Sequence, residues 1–326
     1  MTERVTYRRY QEADIPGLLR LWMEETPWGS LTAEEWRHWY VETPFGEACV
    51  VVAVDEDKQE ILGQFVFTPS LVQANRRRLR ALRPSAPIVG KDLLAAVRDT
   101  NPDEHPVAAM YRFATNVLQN QGYDLIYMLP DPRWLRALQM VPGLLYGSFP
   151  LWSLRLPLPA PLSLGPGYSA TPLRKWDQRV DMLWEKASTL HDCLVVRDAR
   201  SLPWKVGGGF VLGIEKDGDL VGLAASQAKG ERQWLIGDLL AIDTGAALRA
   251  TLAAAANLAH TRALETPPES PLRKVALLVN PALEPVTRAL GFVRDAYDFP
   301  LVIHILNDSV AEKDVAPERW YASAND

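Results

Sequence analysis

The feature of this sequence that most restricts its fold is a β-hairpin pattern that occurs twice. Residues 48–67 read ACVVVAVDEDKQEILGQFVF and residues 209–226 read GFVLGIEKDGDLVGLAAS. In both segments two apolar runs flank a charged turn, which predicts a pair of antiparallel strands. The two copies lie about 160 residues apart, a spacing that indicates a duplicated domain and not a short-period solenoid.

The elements around each hairpin also repeat. Hydrophobic periodicity and turn residues predict the order β-α-α-β-β-β-α-β-α-β in each half. In the first half we expect strands at 6–10, 48–54, 61–68, 86–89, 123–129 and 149–156, and helices at 15–23, 32–41, 106–120 and 132–140. In the second half we expect strands at 209–214, 220–225, 234–242, 275–279 and 298–306, and helices at 246–262 and 281–290.

A linker separates the two halves. Residues 157–167 read PLPAPLSLGPG, with four prolines, two glycines and no apolar period. Such a segment is typical of a connection between domains, so we expect domains at residues 1–158 and 159–326. The order of elements predicts an α/β fold, in which each domain has a mixed antiparallel and parallel sheet flanked by helices.

Composition excludes several classes of function. The chain has 48% hydrophobic and 23% charged residues, as globular proteins do, and a net charge of −5, which does not favour nucleic acid. No apolar run approaches the roughly 20 residues that span a bilayer, and the N-terminus lacks the apolar segment of a signal peptide. We therefore expect a cytoplasmic monomer or homodimer. Cys49, Cys193 and the five histidines show no metal-ligand spacing, so no metal is expected.

Short motifs narrow the fold further. Val195-Val196-Arg197-Asp198-Ala199 and Trp204 precede the second hairpin, Asn280-Pro281-Ala282 and Leu290-Gly291-Phe292 bound the last predicted helix, and the tail reads Pro317-Glu318-Arg319-Trp320-Tyr321. With the repeated order of elements, these motifs resemble those of tandem acyltransferases of the GNAT (Gcn5-related) type. The resemblance covers nearly the whole chain, twice, and implies two tandem GNAT-like domains.

The resemblance implies acyl transfer from acetyl-CoA or another acyl-CoA to an amine, either a small molecule or a peptide. In the family the donor lies where the fourth and fifth strands part, and its pantetheine arm pairs with the fourth strand. Its pyrophosphate binds at the start of the next helix, where free N–H groups and the positive end of the dipole attract an anion. The alternative is a non-catalytic GNAT-like binding or scaffolding protein that has lost acyl transfer.

The pyrophosphate loop of the family, Q/R-x-x-G-x-G/A, has one counterpart in each half. In the first half it is Val107, Ala108 and Ala109, preceded by Glu104, where the family has Gln or Arg. In the second half it is Gly245, Ala246 and Ala247, preceded by Asp243. These six residues are the expected donor-binding residues.

Two residues are candidates for the general base. Asp238 lies inside an apolar run, where burial would raise its pKa, although an edge carboxylate that faces solvent or an arginine partner fits the same pattern. Asp92 has a comparable place in the first half. His105 stands at a predicted helix start, where it is either a base or a solvated loop or capping residue.

Three further sets of residues have no single assigned role. The family often uses a tyrosine on the helix after the fifth strand as general acid, and the matching positions here are Leu138 and Thr287. The cluster Arg76, Arg77, Arg78, Arg80 and Arg83 is either a solvated hairpin or a patch for the 3′-phosphate of CoA. An aromatic group near the first helices consists of Tyr10, Trp28, Trp36 and Trp39.

Overall fold

The structure, a computed structural model, describes residues 5–27, 29–100, 104–230 and 232–326. Trp28 therefore lies outside the described residues. The elements of the first half are β1 (Val5–Arg9), α1 (Ile15–Glu25), α2 (Ala33–Tyr40), β2 (Cys49–Asp55), β3 (Glu60–Ala74), β4 (Arg77–Val89), α3 (Lys91–Thr100), α4 (Pro106–Leu118), β5 (Leu125–Met128), α5 (Pro132–Leu138) and β6 (Leu144–Arg155).

The second half has a similar order of elements. They are β7 (Tyr168–Pro172), α6 (Gln178–Ala187), β8 (Cys193–Val195), α7 (Ser201–Val206), β9 (Phe210–Lys216), β10 (Asp219–Lys229), β11 (Gln233–Ala241), α8 (Ala246–Glu265), β12 (Lys274–Leu278), α9 (Glu284–Ala289), β13 (Val293–Ile305), α10 (Glu312–Val315) and β14 (Trp320–Tyr321). The α/β class with mixed strand pairing is confirmed. Helix α3 has no counterpart in the second half, and Asp92 lies on it, so the expectation that Asp92 matches Asp238 is wrong.

The chain divides into two compact units, each built from three segments. Unit 1 comprises Met1–Val72, Arg78–Tyr146 and Leu301–Glu312. Its strands lie in the order β1-β2-β3-β4-β5, and the end of β13 pairs antiparallel with β5. Unit 2 comprises Gln73–Arg77, Gly147–Pro300 and Lys313–Asp326.

The sheet of unit 1 is covered on both faces. All seven residues of β2 are buried, and the first six, from Cys49 to Val54, alternate between two apolar clusters. Cys49, Val51 and Ala53 pack with helices α3, α4 and α5, whereas the alternate valines pack with α1 and α2. This alternation is why the strand reads as a continuous apolar run and not as an amphipathic one.

The sheet of unit 2 has the order β6-β12-β11-β10-β9-β7. The alanine-rich helix α8 packs against it with small side chains, from Ala247 to Ala259, buried along most of its length. The approach is close, because a Cβ added at Gly222 of β10 would lie 2.0 Å from Thr251 Oγ1 of α8. Among the described residues no helix is long and apolar enough to span a membrane.

The strand that completes each sheet comes from the other half of the sequence. In unit 1, Val302–Ile305 of β13 pair with Leu125–Met128 of β5. In unit 2, Leu151–Arg155 of β6 pair with Lys274–Leu278 of β12. Both strands are predicted by sequence, but their exchange is not, because nothing in a local pattern specifies which remote edge a strand joins.

The exchanged part of β13 should contribute strongly to the stability of unit 1. Ile303 is fully buried and pairs with Tyr127, so Ile303→Ala should lower the free energy of unfolding by about 3 kcal/mol. Val293 lies on the same strand but is 63% exposed, so Val293→Ala should change it by less than about 0.5 kcal/mol. Urea unfolding measures both; equal effects would contradict the exchanged pairing.

Candidate functional site

The fourth and fifth strands of unit 1 part soon after they meet. β4 and β5 pair in parallel through two positions, Ala81 with Leu125 and Leu82 with Ile126. Beyond these, β4 continues to Val89 and β5 to Met128. Parted edges leave backbone N–H and C=O groups that the sheet itself does not satisfy. The strand separation expected from the resemblance is therefore present.

Strand β4 also carries a bulge. The β3–β4 turn is formed by Asn75 and Arg76, both with positive φ, as in a two-residue hairpin turn. Counting from that turn, Leu62 would face Val89, yet the Leu62 carbonyl accepts from the Gly90 N–H at 2.8 Å. β4 thus has one extra residue, and Ala86, with φ of 47°, has the left-handed backbone of a bulge residue.

Helix α4 follows β4 and α3 in the chain, and His105 caps its start. The imidazole Nδ1 accepts from the Val107 N–H at 3.2 Å, and Pro106 occupies the first helical position. Val107, Ala108 and Ala109 are buried as whole residues, backbone included, and the N–H groups of Val107 and Ala109 already donate to His105. Glu104, which would repel a phosphate, is paired with Arg112 at 2.5 Å.

The capping bond determines the protonation of His105. Burial lowers the pKa of this imidazole, and the ring lies 5.9 Å from that of Trp134. Because Nδ1 accepts a backbone N–H, the neutral ring carries its proton on Nε2. In this arrangement His105 can donate to an oxygen, such as that of a phosphate, but it cannot accept a proton from an amine. The structure therefore supports the capping interpretation and not the general base.

Sequence reasoning missed a buried pair near the point where the strands part. The Tyr111 hydroxyl of α4 lies 3.2 Å from His304 Nδ1. The two rings stack, with their centres 5.9 Å apart. His304 is the sheet partner of Ile126, the last residue of β5 that pairs with β4. Burial raises the pKa of Tyr111 and lowers that of His304, so both stay neutral near pH 7. Nothing in the sequence joins residues so far apart.

Unit 2 shows the same separation of strands. β11 and β12 pair in parallel at three positions, from Gln233–Lys274 to Leu235–Ala276, and β11 then continues to Ala241. Its pairing with β10 shifts register so that Gly237 is an extra residue. Both fourth strands are therefore bulged and free of the fifth strand in their second part.

In unit 2 the tail of the chain occupies the freed edge of β11. The Asn325 N–H donates to the Gly237 carbonyl at 3.0 Å, and the Tyr321 hydroxyl donates to the Leu239 carbonyl at 2.7 Å. A Cβ added at Gly237 would lie 2.4 Å from Asn325 Oδ1, so only glycine admits the tail this closely. The tail thus takes the place where a ligand would pair with this strand.

Asp238 lies in a buried ionic cluster with the tail. Its Oδ1 accepts from Arg197 Nε at 3.0 Å and from Lys205 Nζ at 2.8 Å, and its Oδ2 accepts from Asn325 Nδ2 at 2.8 Å. Asp326 pairs with the same arginine and lysine. Because both carboxylate oxygens of Asp238 are engaged, neither is placed to accept a proton from an amine.

The expected rise in the pKa of Asp238 is wrong. Complete burial by itself would raise it, but the charges of Lys205 and Arg197 and the hydrogen bonds outweigh burial and lower the pKa below its ordinary value. The sequence allowed a carboxylate paired with an arginine, and this alternative fits. Arg197 is fully buried, which its sequence neighbours do not indicate.

The second candidate loop is closed by its own aspartate. Asp243 Oδ1 accepts from the Gly245 N–H at 2.8 Å and from the Ala247 N–H at 3.0 Å. Ala246, between them, is exposed. A carboxylate therefore already holds two of the N–H groups at the start of α8 that a pyrophosphate would need.

The remaining sequence candidates have structural positions. Arg76, Arg77 and Arg78 are exposed at the tip of the β3–β4 hairpin, which fits both a solvated hairpin and a patch for a phosphate group. Leu138 is buried, and the buried Thr287 hydroxyl donates to the Leu283 carbonyl at 2.8 Å. Cys49 and Cys193 are buried free thiols.

The fold is that of GNAT acyltransferases. The chain is similar to a GCN5-related N-acetyltransferase from Anabaena variabilis, with a TM-score of 0.66 and 12% identity over 93% of this chain and 73% of that one. It is similar to a probable N-acyltransferase from Enterococcus faecalis, with a TM-score of 0.62 and 10% identity over the same shares.

A third similar structure contains a ligand. It is Saccharomyces cerevisiae N-myristoyltransferase with bound myristoyl-CoA, with a TM-score of 0.63 and 10% identity over 98% of this chain and 88% of that one. No protein-family model and no curated relative matches the chain by sequence. At these identities the similarity defines the fold.

The ionic cluster should be essential to unit 2. In Asp238→Asn, Arg197 and Lys205 stay buried with less compensating charge, so the free energy of unfolding should fall by about 3 kcal/mol at pH 7. Asp219→Asn, at an exposed position of β10, is the control and should change it by less than about 0.5 kcal/mol.

The loss in Asp238→Asn should also depend on pH. The folded pKa of Asp238 lies below the ordinary 3.8, so its charge stabilises the fold fully above that value. As the pH falls through the lowered folded pKa, the contribution disappears and the difference between wild type and variant should shrink. Urea unfolding from pH 7 to pH 3 measures this, and a constant difference would contradict it.

Proposed function

We propose that the chain is an acyl-CoA-dependent N-acyltransferase that binds its donor between the parted strands of unit 1. The observation that supports this most is the contrast between the two units. Both have a bulged fourth strand separated from the fifth, but the chain's own tail lies against this strand in unit 2. An extended ligand with amide groups pairs with such a strand edge, and the pantetheine arm of an acyl-CoA is one.

The start of α4 is the proposed pyrophosphate site. His105 is half-buried and carries its proton on Nε2, so it can donate to a phosphate oxygen, whereas the Ala108 N–H of the first turn is fully buried and would join it only if the ligand uncovers it. The positive end of the helix dipole adds to this attraction. The ion pair between Glu104 and Arg112 offsets the charge that would otherwise oppose it.

The proposed reaction depends on the relative position of the amine and the thioester more than on unusual side chains. The amine nitrogen attacks the thioester carbonyl carbon, a C–N bond forms, the C–S bond breaks and the thiolate of CoA leaves. The amine loses one proton and the thiolate gains one, through solvent or bound groups. Backbone N–H groups at the freed edge of β4 would polarise the carbonyl as negative charge develops on its oxygen. Holding amine and thioester in line supplies much of the acceleration.

The donor is acetyl-CoA or a longer acyl-CoA, and the acceptor is a small amine or a peptide. The similar structures support this range, because one is an N-acetyltransferase and another holds myristoyl-CoA. We place the protein in the cytoplasm, where acyl-CoA is available.

The second candidate function is a binding or scaffolding protein that has lost acyl transfer. The observation that favours it is the occupied cleft of unit 2 together with the aspartate that closes its helix start. In this case unit 1 would be equally unable to bind a donor. Calorimetry with acetyl-CoA and myristoyl-CoA separates the two functions: binding supports the enzyme, and no heat with either favours the scaffold.

A substitution at His105 should weaken donor binding without weakening the fold. Aspartate is a good helix cap, so His105→Asp should keep the cap on α4 while placing a negative charge at the phosphate site. We expect the dissociation constant of acetyl-CoA to rise about tenfold or more, by calorimetry, with the melting temperature unchanged.

The matched control is His105→Asn, which caps the helix without a charge. It should bind acetyl-CoA within about threefold of wild type, since it lacks only the donated hydrogen bond of Nε2. If His105→Asp and His105→Asn bind acetyl-CoA equally, the pyrophosphate does not bind at α4.

The corresponding change in unit 2 should have no effect on donor binding. Asp243→Asn removes the charge at the start of α8 but can still accept from the Gly245 and Ala247 N–H groups. If unit 2 held the donor, loss of this charge would strengthen acetyl-CoA binding. We expect an unchanged dissociation constant in calorimetry, and tighter binding would assign the donor to unit 2.

A further inference from the structure

Unit 2 contains a cavity of about 380 Å³ that the proposed reaction does not use. It lies between the second part of β6, helix α9 and the start of β13. Its volume falls within the roughly 300–1,000 Å³ typical of small-molecule sites. The lining residues are Pro150, Trp152, Glu284, Arg288, Gly291, Phe292, Val293 and Arg294.

The lining of the cavity is largely apolar. Trp152 is 3% exposed, and its indole nitrogen has almost no accessible surface, so this residue contributes ring surface to the cavity and not a hydrogen-bond donor. Pro150, Phe292 and Val293 complete the apolar part.

The polar part of the lining is cationic. Arg288 and Arg294 against Glu284 give it a net charge of +1. The Arg288 guanidinium lies 5.0 Å from the centre of the Trp152 ring. Arg288 pairs with Glu284 at 2.5 Å, and Arg294 pairs with Asp298, outside the lining, at 2.7 Å.

Both ion pairs join exposed side chains. The two arginines are 66% and 58% exposed and their partners 46% and 34%. Exposed pairs contribute little to stability, so either arginine can exchange its partner for the acidic group of a ligand at small cost. Guanidinium groups bind carboxylates and phosphates through paired hydrogen bonds.

We propose that this cavity binds a small organic anion, with an aromatic or other apolar body and a single carboxylate or phosphate group. The body lies against Trp152, Pro150 and Phe292, and the acidic group binds Arg294 and Arg288. This site does not depend on acyl transfer, since none of its residues belongs to the parted strands of unit 1.

Calorimetry on the full chain tests the proposal with three compounds that share a phenyl ring: phenylacetate, phenyl phosphate and the uncharged phenylacetamide. We expect one or both anions to bind with a dissociation constant below about 1 mM and the amide to bind at least about tenfold more weakly. Phenylacetate alone would identify a carboxylate site, and phenyl phosphate alone a phosphate site. The proposal fails if neither anion binds or if the amide binds equally well.

Two variants assign the binding to this cavity. Arg294→Gln changes an exposed side chain, so it should fold normally and bind the anion at least about tenfold more weakly. Trp152→Phe keeps most of the packing, reduces the aromatic surface against which the body of the ligand lies and should also weaken binding. Arg249→Gln, exposed on α8 and outside the cavity, is the control and should bind as wild type does. Anion binding that survives Arg294→Gln unchanged would overturn the assignment.

Discussion

The unpaired edge of a strand must find hydrogen-bonding partners, and this requirement organises the rest of the structure. Where β11 leaves β12, the carbonyls of Gly237 and Leu239 accept from Asn325 and Tyr321 of the tail. Where β4 leaves β5, the same kind of edge occurs in unit 1 beside the bulge at Ala86. Backbone groups that are neither bonded nor hydrated cost free energy. The two units therefore offer two solutions to one constraint, a segment of the chain and a proposed ligand.

The charges around the tail follow from the same constraint. A tail that enters the interior carries Asp326 with it, and a buried carboxylate needs compensation. Arg197 and Lys205 supply it, and Asp238 balances their charge, so that four ionised groups are buried together. This explains how an aspartate that resembles a catalytic base can have a lowered pKa and no oxygen free for catalysis.

Several features of the fold could be predicted from sequence because they depend on neighbouring residues. The duplicated hairpin and the start of α4 at Pro106 both appear in the structure. The candidate site was only partly predictable. The predicted loop residues lie at the starts of α4 and α8, and their role in donor binding stays a prediction, whereas the charge state of Asp238 depends on partners remote in the chain. Tyr111 and His304 are 193 positions apart in the chain, so their contact has no local signal.

The sequence by itself determined the α/β class, the repeated order of elements and most element positions, because side-chain periodicity and turn residues act within a few positions of the chain. Only the tertiary structure decided that β6 and β13 exchange places between the sheets and that the tail pairs with β11. Those outcomes depend on which edge offers unpaired backbone groups and a matching apolar face. Such complementarity is a property of the assembled sheets, since edges far apart in sequence compete for the same strand.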